Sequence, residues 1–289
     1  MKRGILCICL SAFGFSLMAM FVRLADDLGA PIPAIQKAFF RNLVAIGIAL
    51  FAFLRAKRDH QIDFGRVSVR DWFDIVLRSV LGTAGVFSNF YAISYIPIGD
   101  AMALNKTAPF FTLLASWLLL GEFVRARQLL CLVGAFAGVL LVVKPGFAGG
   151  LTGPALIGLL SGFCAGTAYA ILHRLGKRGV NGAFIIFFFS LFSCVACVPF
   201  ILADCRAMTM AQVFSLCGAG AGAALGQFGI TWAYRFAEPR QIAVYDYSCI
   251  LFTAGLGFLV FGQIPDLLSA CGFVILIVMA FWLFPHHRS

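Results

Sequence analysis

Long apolar runs, separated by short polar breaks, repeat along nearly the whole chain. The hydrocarbon core of a bilayer needs about 20 apolar residues for each helical span, and these runs have that length. Hydrophobic residues make up 62% of the sequence and charged residues only 12%. A soluble domain usually carries about 25% charge, so that class is excluded. Transmembrane barrels show alternating segments of about ten residues instead, and the continuous runs therefore predict helices.

The runs predict ten transmembrane helices, whose ends are marked by prolines and glycines such as Pro97 and Pro145-Gly146. The first run resembles a secretory signal, but it lacks a small-residue cleavage site, and we expect it to remain as a helix. The predicted fold class is an all-α membrane protein. Its spans are roughly 4–24, 31–54, 72–93, 98–119, 127–143, 153–173, 182–203, 210–234, 241–262 and 265–284.

The distribution of lysine and arginine predicts the orientation. If the N-terminus is cytoplasmic, fifteen of these residues fall on the cytoplasmic side, and only Arg23, Lys144 and Arg206 fall on the other. Cytoplasmic loops are rich in lysine and arginine, so we expect both termini in the cytoplasm and the chain in a bacterial inner membrane. The net charge of +10 is then mainly a topology signal. Because the positive residues are scattered over short loops, it does not predict nucleic-acid binding.

The two halves of the sequence resemble each other. DAMALNKTAPFFTLLASWLLLGE at 100–122 aligns with QIAVYDYSCILFTAGLGFLVFGQ at 241–263, and 11–24 aligns with 161–175 with one gap. With five spans in each half, the second copy enters the membrane from the opposite face. We therefore expect two inverted five-helix repeats, 1–145 and 150–289. Inverted repeats are typical of alternating-access carriers, whose site lies near the midplane between the halves.

Several motifs carry a family resemblance over nearly the whole chain: FFRN at 39–42, YAISYIPIGDA at 91–101, LLLGE at 118–122 and YDYSCILFTAGLGFLVFGQIPD at 245–266. On these motifs the sequence resembles the EamA family of the drug/metabolite transporter superfamily, especially the branch of bacterial S-adenosylmethionine uptake carriers. The resemblance implies that helices one to four and six to nine surround a central cavity, with five and ten outside it. It also implies transport of a small metabolite by uptake, exchange or export.

Two departures from the family pattern bear on coupling. The glutamate that the family places at the end of helix nine is Gln263 here, which puts a titrating role there in doubt. Helix one has no carboxylate between Gly4 and Leu24. Smaller relatives that expel cationic drugs use such a carboxylate, so its absence counts against the alternative function, an exporter of drugs or metabolites by proton antiport.

Ionisable side chains inside the spans are the best indicators of a site, because each costs about 2.5–3.5 kcal/mol to insert. The predicted spans contain four cations and one clear anion. The cations are Lys37, Arg41, Arg78 and Lys106, and the anion is Asp246. This balance favours an anionic or zwitterionic substrate, such as an amino-acid or nucleoside-like compound. Structural alternatives stay open: Arg41 could bond backbone carbonyls between helices, and Lys37 and Arg78 could extend to the membrane surface.

The repeat alignment brings a basic and an acidic position together, because it superposes Asn105 and Lys106 on Asp246 and Tyr247. Two interpretations stay open. Lys106 and Asp246 could pair with each other and latch the halves together, since an unpaired buried charge is costly. Alternatively, they could bind opposite ends of a zwitterion.

Other polar and aromatic residues could complete a pocket. Arg78, Gly82, Gly85 and Asn89 share one helix face, which leaves room either for a ligand or for a closely packed helix. For each aromatic residue alone, packing or an interfacial position is the competing role. The candidate binding residues are Lys37, Arg41, Arg78, Asn89, Tyr91, Asn105, Lys106, Tyr169, Gln227, Tyr245, Asp246 and Tyr247.

Other function classes lack their sequence signatures. There is no GxxxxGK[ST] or HExxH motif, and CVAC at 194–197 lies inside a span without a second ligand pair, so packing is expected there. We therefore expect no enzyme, metal or cofactor, and the loops are too short for a non-transporting interaction subunit. The expected partners are a small-molecule substrate and the lipid bilayer, with a homodimer left open.

Overall fold

Helices joined by short turns make up the residues that the computed structural model describes, namely 2–58, 67–120, 126–143, 152–236 and 243–283, and no strand occurs among them. This confirms the predicted all-α fold for those residues. The Gly121-Glu122 motif, Lys144 and Pro145 lie outside them. In chain order the helices are α1 (Lys2–Asp27), α2 (Ala34–Arg58), α3 (Val69–Tyr95), α4 (Ile98–Asn105), α5 (Ala108–Leu120), α6 (Ala126–Val143), α7 (Thr152–Lys177), α8 (Gly182–Ala203), α9 (Met210–Phe236), a 3-10 helix (Ala243–Tyr247), α10 (Ser248–Phe261) and α11 (Leu267–Leu283).

Each predicted span coincides with helical structure, but two spans are divided. The fourth consists of α4 and α5, and the ninth consists of the 3-10 helix and α10. Five helices, α1, α2, α7, α8 and α9, contain segments long and apolar enough to cross a membrane. Shorter apolar helical segments are Val133–Val142, Tyr245–Phe261 and Leu267–Met279. The number of ten crossings and the cytoplasmic location of the termini stay predictions.

The break between α4 and α5 has a local cause. Pro109 lies in the first turn of α5, where a residue without a backbone N–H is tolerated, whereas in the middle of one continuous helix it would remove a hydrogen bond. Lys106 and Thr107 form the turn between the helices. The Thr107 hydroxyl donates to the Leu104 carbonyl at 2.6 Å, so the turn satisfies one of the carbonyl groups that the break releases.

Helices from the two halves interleave. α1 packs along α9, and α7 packs along α3. α5 lies against α7, and α10 lies against α1. α2 packs on α8, and α6 packs on α11. When each helix is exchanged for the helix at the same place in the order of the other half, this set of helix pairs is converted into itself.

Close approach between α1 and α9 depends on glycine. A Cβ atom at Gly14 would lie 2.7 Å from the Gly226 nitrogen and 2.9 Å from the Gly222 oxygen. At this distance the backbones are in direct contact, and the Ser11 hydroxyl donates to the Gly226 carbonyl at 2.6 Å. Small residues let transmembrane helices pack in this way, with hydroxyl groups bonding across the interface.

Polarity is arranged as a bilayer requires. Leu6, Phe51, Leu202, Phe214 and Leu259 are strongly exposed on the outer surface. Polar and charged side chains of α2, α3 and the α4–α5 turn are buried inside. Large exposed apolar surfaces are unusual for soluble monomers, so the outer face of the bundle is suited to lipid.

Candidate functional site

The centre of the site is an ion pair between the two divided spans. Lys106, in the turn between α4 and α5, donates from Nζ to Asp246 Oδ2 at 2.7 Å. Asp246 lies in the 3-10 helix that precedes α10. Both side chains are almost fully buried, and the Lys106 ammonium also lies 5.3 Å from the centre of the Phe15 ring. The predicted meeting of Lys106 and Asp246 is therefore present as a direct contact.

The turn that carries Lys106 is seated on α7. A Cβ atom at Gly162 would lie 2.3 Å from the Thr107 hydroxyl, and one at Gly166 would lie 2.4 Å from the Ala108 carbonyl. Asn105 donates to the Ser161 hydroxyl at 3.0 Å. The glycines of α7 thus admit the backbone of the break, and Ser161 holds the side chain of the candidate residue Asn105.

The break on the opposite side is held by α1. The Ser16 hydroxyl lies within hydrogen-bond distance of the Cys249 carbonyl, at 3.1 Å, and of the Ala12 carbonyl, at 2.8 Å. Thr253 donates to the Cys249 carbonyl at 2.6 Å and lies 2.9 Å from the Ser16 hydroxyl. Each divided span is therefore supported by hydroxyl groups from the first helix of the other half.

Two polar atoms around the ion pair lack partners among the described residues. They are Asp246 Oδ1 and the Tyr247 hydroxyl. The Tyr247 ring lies against Phe110, with ring centres 6.5 Å apart. Leaving a buried polar group unpaired costs about 1–3 kcal/mol. Such groups at a functional centre are expected to bind a ligand or water.

Tyr169 connects this centre to Arg78. It lies on α7, half-buried, within electrostatic range of Lys106, Asp246 and Arg78. The Arg78 side chain is 5% exposed, and its guanidinium carbon lies 4.1 Å from the centre of the Phe189 ring on α8. Its Nε and Nη1 atoms have no hydrogen-bond partner within the described structure. Arg78 therefore does not extend to the membrane surface.

The other residues on the Arg78 face of α3 pack against neighbouring helices. A Cβ atom at Gly82 would lie 2.8 Å from the Phe189 ring, and one at Gly85 would lie 3.3 Å from Cys164 Cβ. The two glycines thus serve close helix packing, which was one of the two sequence alternatives. Asn89 is buried, and its amide nitrogen lies 3.8 Å from the Met102 sulfur.

Arg41 occupies the interface of α2 with α3 and α8. It is 2% exposed and donates from Nη1 to Asn42 Oδ1 at 3.0 Å. Asn42 in turn donates to the Ser193 hydroxyl on α8 at 2.6 Å. The guanidinium carbon lies 5.9 Å from the centre of the Phe90 ring, and Nε lacks a partner among the described residues. Arg41 is thus held by a neutral amide and an aromatic ring, and we find no contact to a backbone carbonyl in this region.

Lys37 is held away from the membrane surface by a network at one end of the bundle. Its side chain is 0% exposed, and Nζ contacts both Asp26 carboxylate oxygens and the Ser94 hydroxyl, each at 2.6 Å. Arg23 donates to the Ile93 and Ser94 carbonyls at 3.1 and 2.9 Å. The network ties α1, α2 and the end of α3 together. Asp26 was not predicted as a partner, because its position beside the turn after α1 suggested only a stop signal.

A second network at the opposite end of α3 was missed from the sequence. Arg174 of α7 and Arg178 in the turn that follows α7 contact Asp74, and Arg178 Nη1 also lies 2.8 Å from Asp71 Oδ1. Ser68 caps α3 and hydrogen-bonds to Asp71. These hydrogen bonds and the interaction with Arg178 lower the pKa of the Asp71 carboxyl. The Ser68-x-x-Asp71 spacing was the available signal, but it indicates a helix cap and not the partner helix.

Three further candidate residues differ in their surroundings. Tyr91 is 36% exposed, and its ring lies against Tyr95 with centres 4.6 Å apart. Tyr245 packs beside Ile8 and Ile230. Gln227 is half-buried on α9.

Gln263 has a structural contact. Its side-chain oxygen accepts from the Ile98 backbone N–H at 3.1 Å, at the start of α4. An amide performs this task without a charge.

The described residues contain no group of three or more His, Cys, Asp or Glu side chains placed to hold a metal ion.

Comparisons with known proteins agree with this architecture. The model of the EamA-like transporter family matches residues 2–144. The pseudopaline exporter CntI of Pseudomonas aeruginosa is 32% identical over 279 residues, which cover 96% of this chain and 94% of that protein. A riboflavin transporter of Brucella anthropi is 27% identical over 245 residues, 82% of each chain. One crystal structure superposes with a TM-score of 0.63 at 17% identity, covering 95% and 96% of the two chains, which is a likeness of fold alone.

These matches define the class of protein. An all-helical chain with interleaved halves and buried charges matches relatives named as transporters over nearly its full length. The chain belongs to the EamA-like transporter family. The narrower resemblance to S-adenosylmethionine uptake carriers stays a prediction.

Proposed function

We propose that this protein is a secondary transporter that moves a small anionic or zwitterionic organic metabolite across a bacterial inner membrane by alternating access, in the direction of export. The observation that carries the proposal is the buried Lys106–Asp246 pair, placed at the breaks of two spans that correspond in the sequence repeat. Export is supported by the relative named as a pseudopaline exporter, which is 32% identical over nearly the full length of both chains.

The helix packing supports two inverted five-helix repeats. Contacts of α1 with α9 and α10 have counterparts in contacts of α7 with α3 and α5. A twofold relation between the halves accounts for this exchange, and five spans per half make the repeats antiparallel. Alternating access then consists of one half rocking against the other around a site near the midplane.

The Lys106–Asp246 pair has chemistry suited to a zwitterion. A pair with a purely structural role is favourable only when further hydrogen bonds satisfy its remaining atoms. Here Asp246 Oδ1 and the Tyr247 hydroxyl have no partner among the described residues. A substrate ammonium group would bind Asp246 Oδ1, and a substrate carboxylate would bind Lys106. In the empty carrier, Lys106 and Asp246 neutralise each other.

The two ion-pair networks at the ends of the bundle, here called the end networks, act as the gates in this proposal. Lys37 with Asp26 and Ser94 closes one end, and Asp74 with Arg174 closes the other. Both are formed in this structure. Opening one network while the other stays closed would expose the site to one side of the membrane at a time.

Proton-coupled export of cationic drugs receives less support. The buried guanidinium groups of Arg41 and Arg78 have no carboxylate partner in the described part of the chain. Asp26 of α1 contacts Lys37. A cationic drug would therefore meet uncompensated positive charge.

A ligand screen tests the proposal. The purified protein in detergent is heated with zwitterionic and anionic metabolites, and bound ligands raise the unfolding temperature by mass action. We expect compounds that stabilise the wild type and do not stabilise the double variant Lys106→Met/Asp246→Asn. The matched control is Arg206→Met/Asp204→Asn, which removes an exposed pair 3.8 Å apart and should retain the ligand response. Equal responses of the two double variants would reject the site.

A further inference from the structure

Arg41 and Arg78 are buried cations without a carboxylate partner among the described residues, whereas Lys106 pairs with Asp246 and Lys37 pairs with Asp26. Arg41 is bonded to a neutral amide, and Arg78 lies over an aromatic ring. Three of their guanidinium nitrogens, Arg41 Nε, Arg78 Nε and Arg78 Nη1, lack partners among the described residues. Burying an ionised group without a counter-charge costs several kcal/mol. A cation–π interaction with an aromatic ring offsets only about 0.5–2 kcal/mol of this cost.

Both guanidinium groups are anchored on one face of α8. Phe189, under Arg78, and Ser193, which is linked to Arg41 through Asn42, are four residues apart. Residues with that separation lie on the same helix face, about 6 Å apart along the axis. The two cations therefore border the same interface between α2, α3 and α8.

The spacing along α3 keeps the two guanidinium groups apart. Arg41 contacts Phe90, which is twelve residues after Arg78, or about 18 Å along the helix. Helical side chains all lean toward the N-terminus, so the leanings of Phe90 and Arg78 cancel and the offset of their side chains stays close to about 18 Å. Because the Arg41 guanidinium carbon lies 5.9 Å from the centre of the Phe90 ring, the two guanidinium groups are separated by roughly 12 Å or more, which is too far to share one carboxylate.

We infer that Arg41 and Arg78 bind two separate anionic groups of one elongated solute, with its anionic groups separated by a similar distance. The inference rests on the proposed transport function and narrows its substrate class to solutes that carry two separate anionic groups, with or without an ammonium group. Arginine is suited to the task, because its planar guanidinium binds a carboxylate or a phosphate through two parallel hydrogen bonds.

A series of linear dicarboxylates tests the inference. The probes are dicarboxylates from succinate to sebacate, each compared with its monomethyl ester, which has the same length and one charge fewer. Apparent dissociation constants come from thermal unfolding of the purified protein at rising probe concentration. For the longer members, we expect the dicarboxylate to bind at least about tenfold more tightly than its ester, since a hydrogen-bonded charge pair contributes at least that factor.

Variants assign the preference to the two arginines. Arg41→Gln and Arg78→Gln should each remove the preference for the long dicarboxylate over its ester. Arg206→Gln removes an equal charge from an exposed position and should leave the preference unchanged. If a glutamine variant does not fold, the lysine variant at the same position retains the charge, and we expect it to weaken the preference through loss of the two-bond geometry.

Equal affinity for dicarboxylate and ester in the wild type would overturn the inference, as would absence of stabilisation by the whole dicarboxylate series. Retention of the preference in both glutamine variants would overturn the assignment to Arg41 and Arg78. A phosphomonoester that carries a distal carboxylate, used as an additional probe, separates the two anion chemistries. Failure of the proposed function has a different signature, in which the reconstituted wild type transports no metabolite at all.

Discussion

Removing one member of the Lys106–Asp246 pair should destabilise the protein far more than removing both. At 2.7 Å and an effective dielectric constant of about 20, the Coulomb attraction is about 6 kcal/mol before desolvation. Desolvation costs several kcal/mol for each ion, so the net contribution of the intact pair is small. Asp246→Asn leaves the Lys106 ammonium buried without a counter-charge, and we expect a loss of about 3–5 kcal/mol. Lys106→Met should cost about the same.

The double variant Lys106→Met/Asp246→Asn leaves no buried charge at this position. We therefore expect it to lie within about 2 kcal/mol of the wild type, with a coupling free energy of about 3 kcal/mol or more in the double-mutant cycle. The assay is reversible denaturant unfolding in detergent, followed by circular dichroism. The exposed Arg206–Asp204 pair, 3.8 Å apart, serves as the control cycle, with an expected coupling of about 0–1 kcal/mol. Additive effects at Lys106 and Asp246 would refute the reasoning, because they would mean that neither charge depends on the other.

Three further outcomes follow from the packing and the end networks. Asp74→Asn should lower the free energy of unfolding by about 1–3 kcal/mol, because a buried carboxylate that contacts two arginines loses its charge; an unchanged midpoint in denaturant would contradict this. Gly14→Ala should destabilise strongly, because its Cβ would lie 2.7 Å from the Gly226 nitrogen, whereas Gly47→Ala, in open space, should be neutral or stabilise by up to about 1 kcal/mol in the same assay. Ser68→Ala should lower the free energy of unfolding by about 0.5–2 kcal/mol and move acid unfolding to higher pH. The lowered pKa of Asp71 contributes stability that is present above the unfolded pKa of about 3.9 and is lost as the pH falls through the folded pKa. Identical acid unfolding transitions of the variant and the wild type would contradict this origin.

Much of the helical layout could be predicted from the sequence, because apolar runs of bilayer length leave few alternatives. The breaks in the fourth and ninth spans were harder. Pro109 indicates the first, but the second lies before Ser248 without a proline, and only the repeat alignment points to it. There, the Ser16 hydroxyl of α1 and the Thr253 hydroxyl of α10 both donate to the Cys249 carbonyl, and the contact from α1 has no local signature in the sequence.

The candidate site was predicted in part. Charged residues are scarce in the spans, which pointed to Lys106 and Asp246, because an ion inside a span is costly unless it is paired or functional. The same argument selected Lys37. Its partner Asp26 is close to it in sequence, but it lies after the end of the first predicted span. Pairing of α3 with α7 at Asp74 and Arg174 depends on how helices pack across the halves. Tyr91 shows the opposite case, since a tyrosine next to a conspicuous motif lies exposed beside Tyr95.

Transport by the reconstituted protein tests the central claim most directly. Proteoliposomes are loaded with a metabolite that stabilises the purified wild type, and entry of the labelled compound by exchange is followed over time. The account predicts rapid exchange with the wild type and with Arg206→Met/Asp204→Asn, and loss of exchange with the folded Lys106→Met/Asp246→Asn variant. Exchange at the wild-type rate in that variant would contradict the account, because the pair at the helix breaks would then hold the structure together without binding the solute.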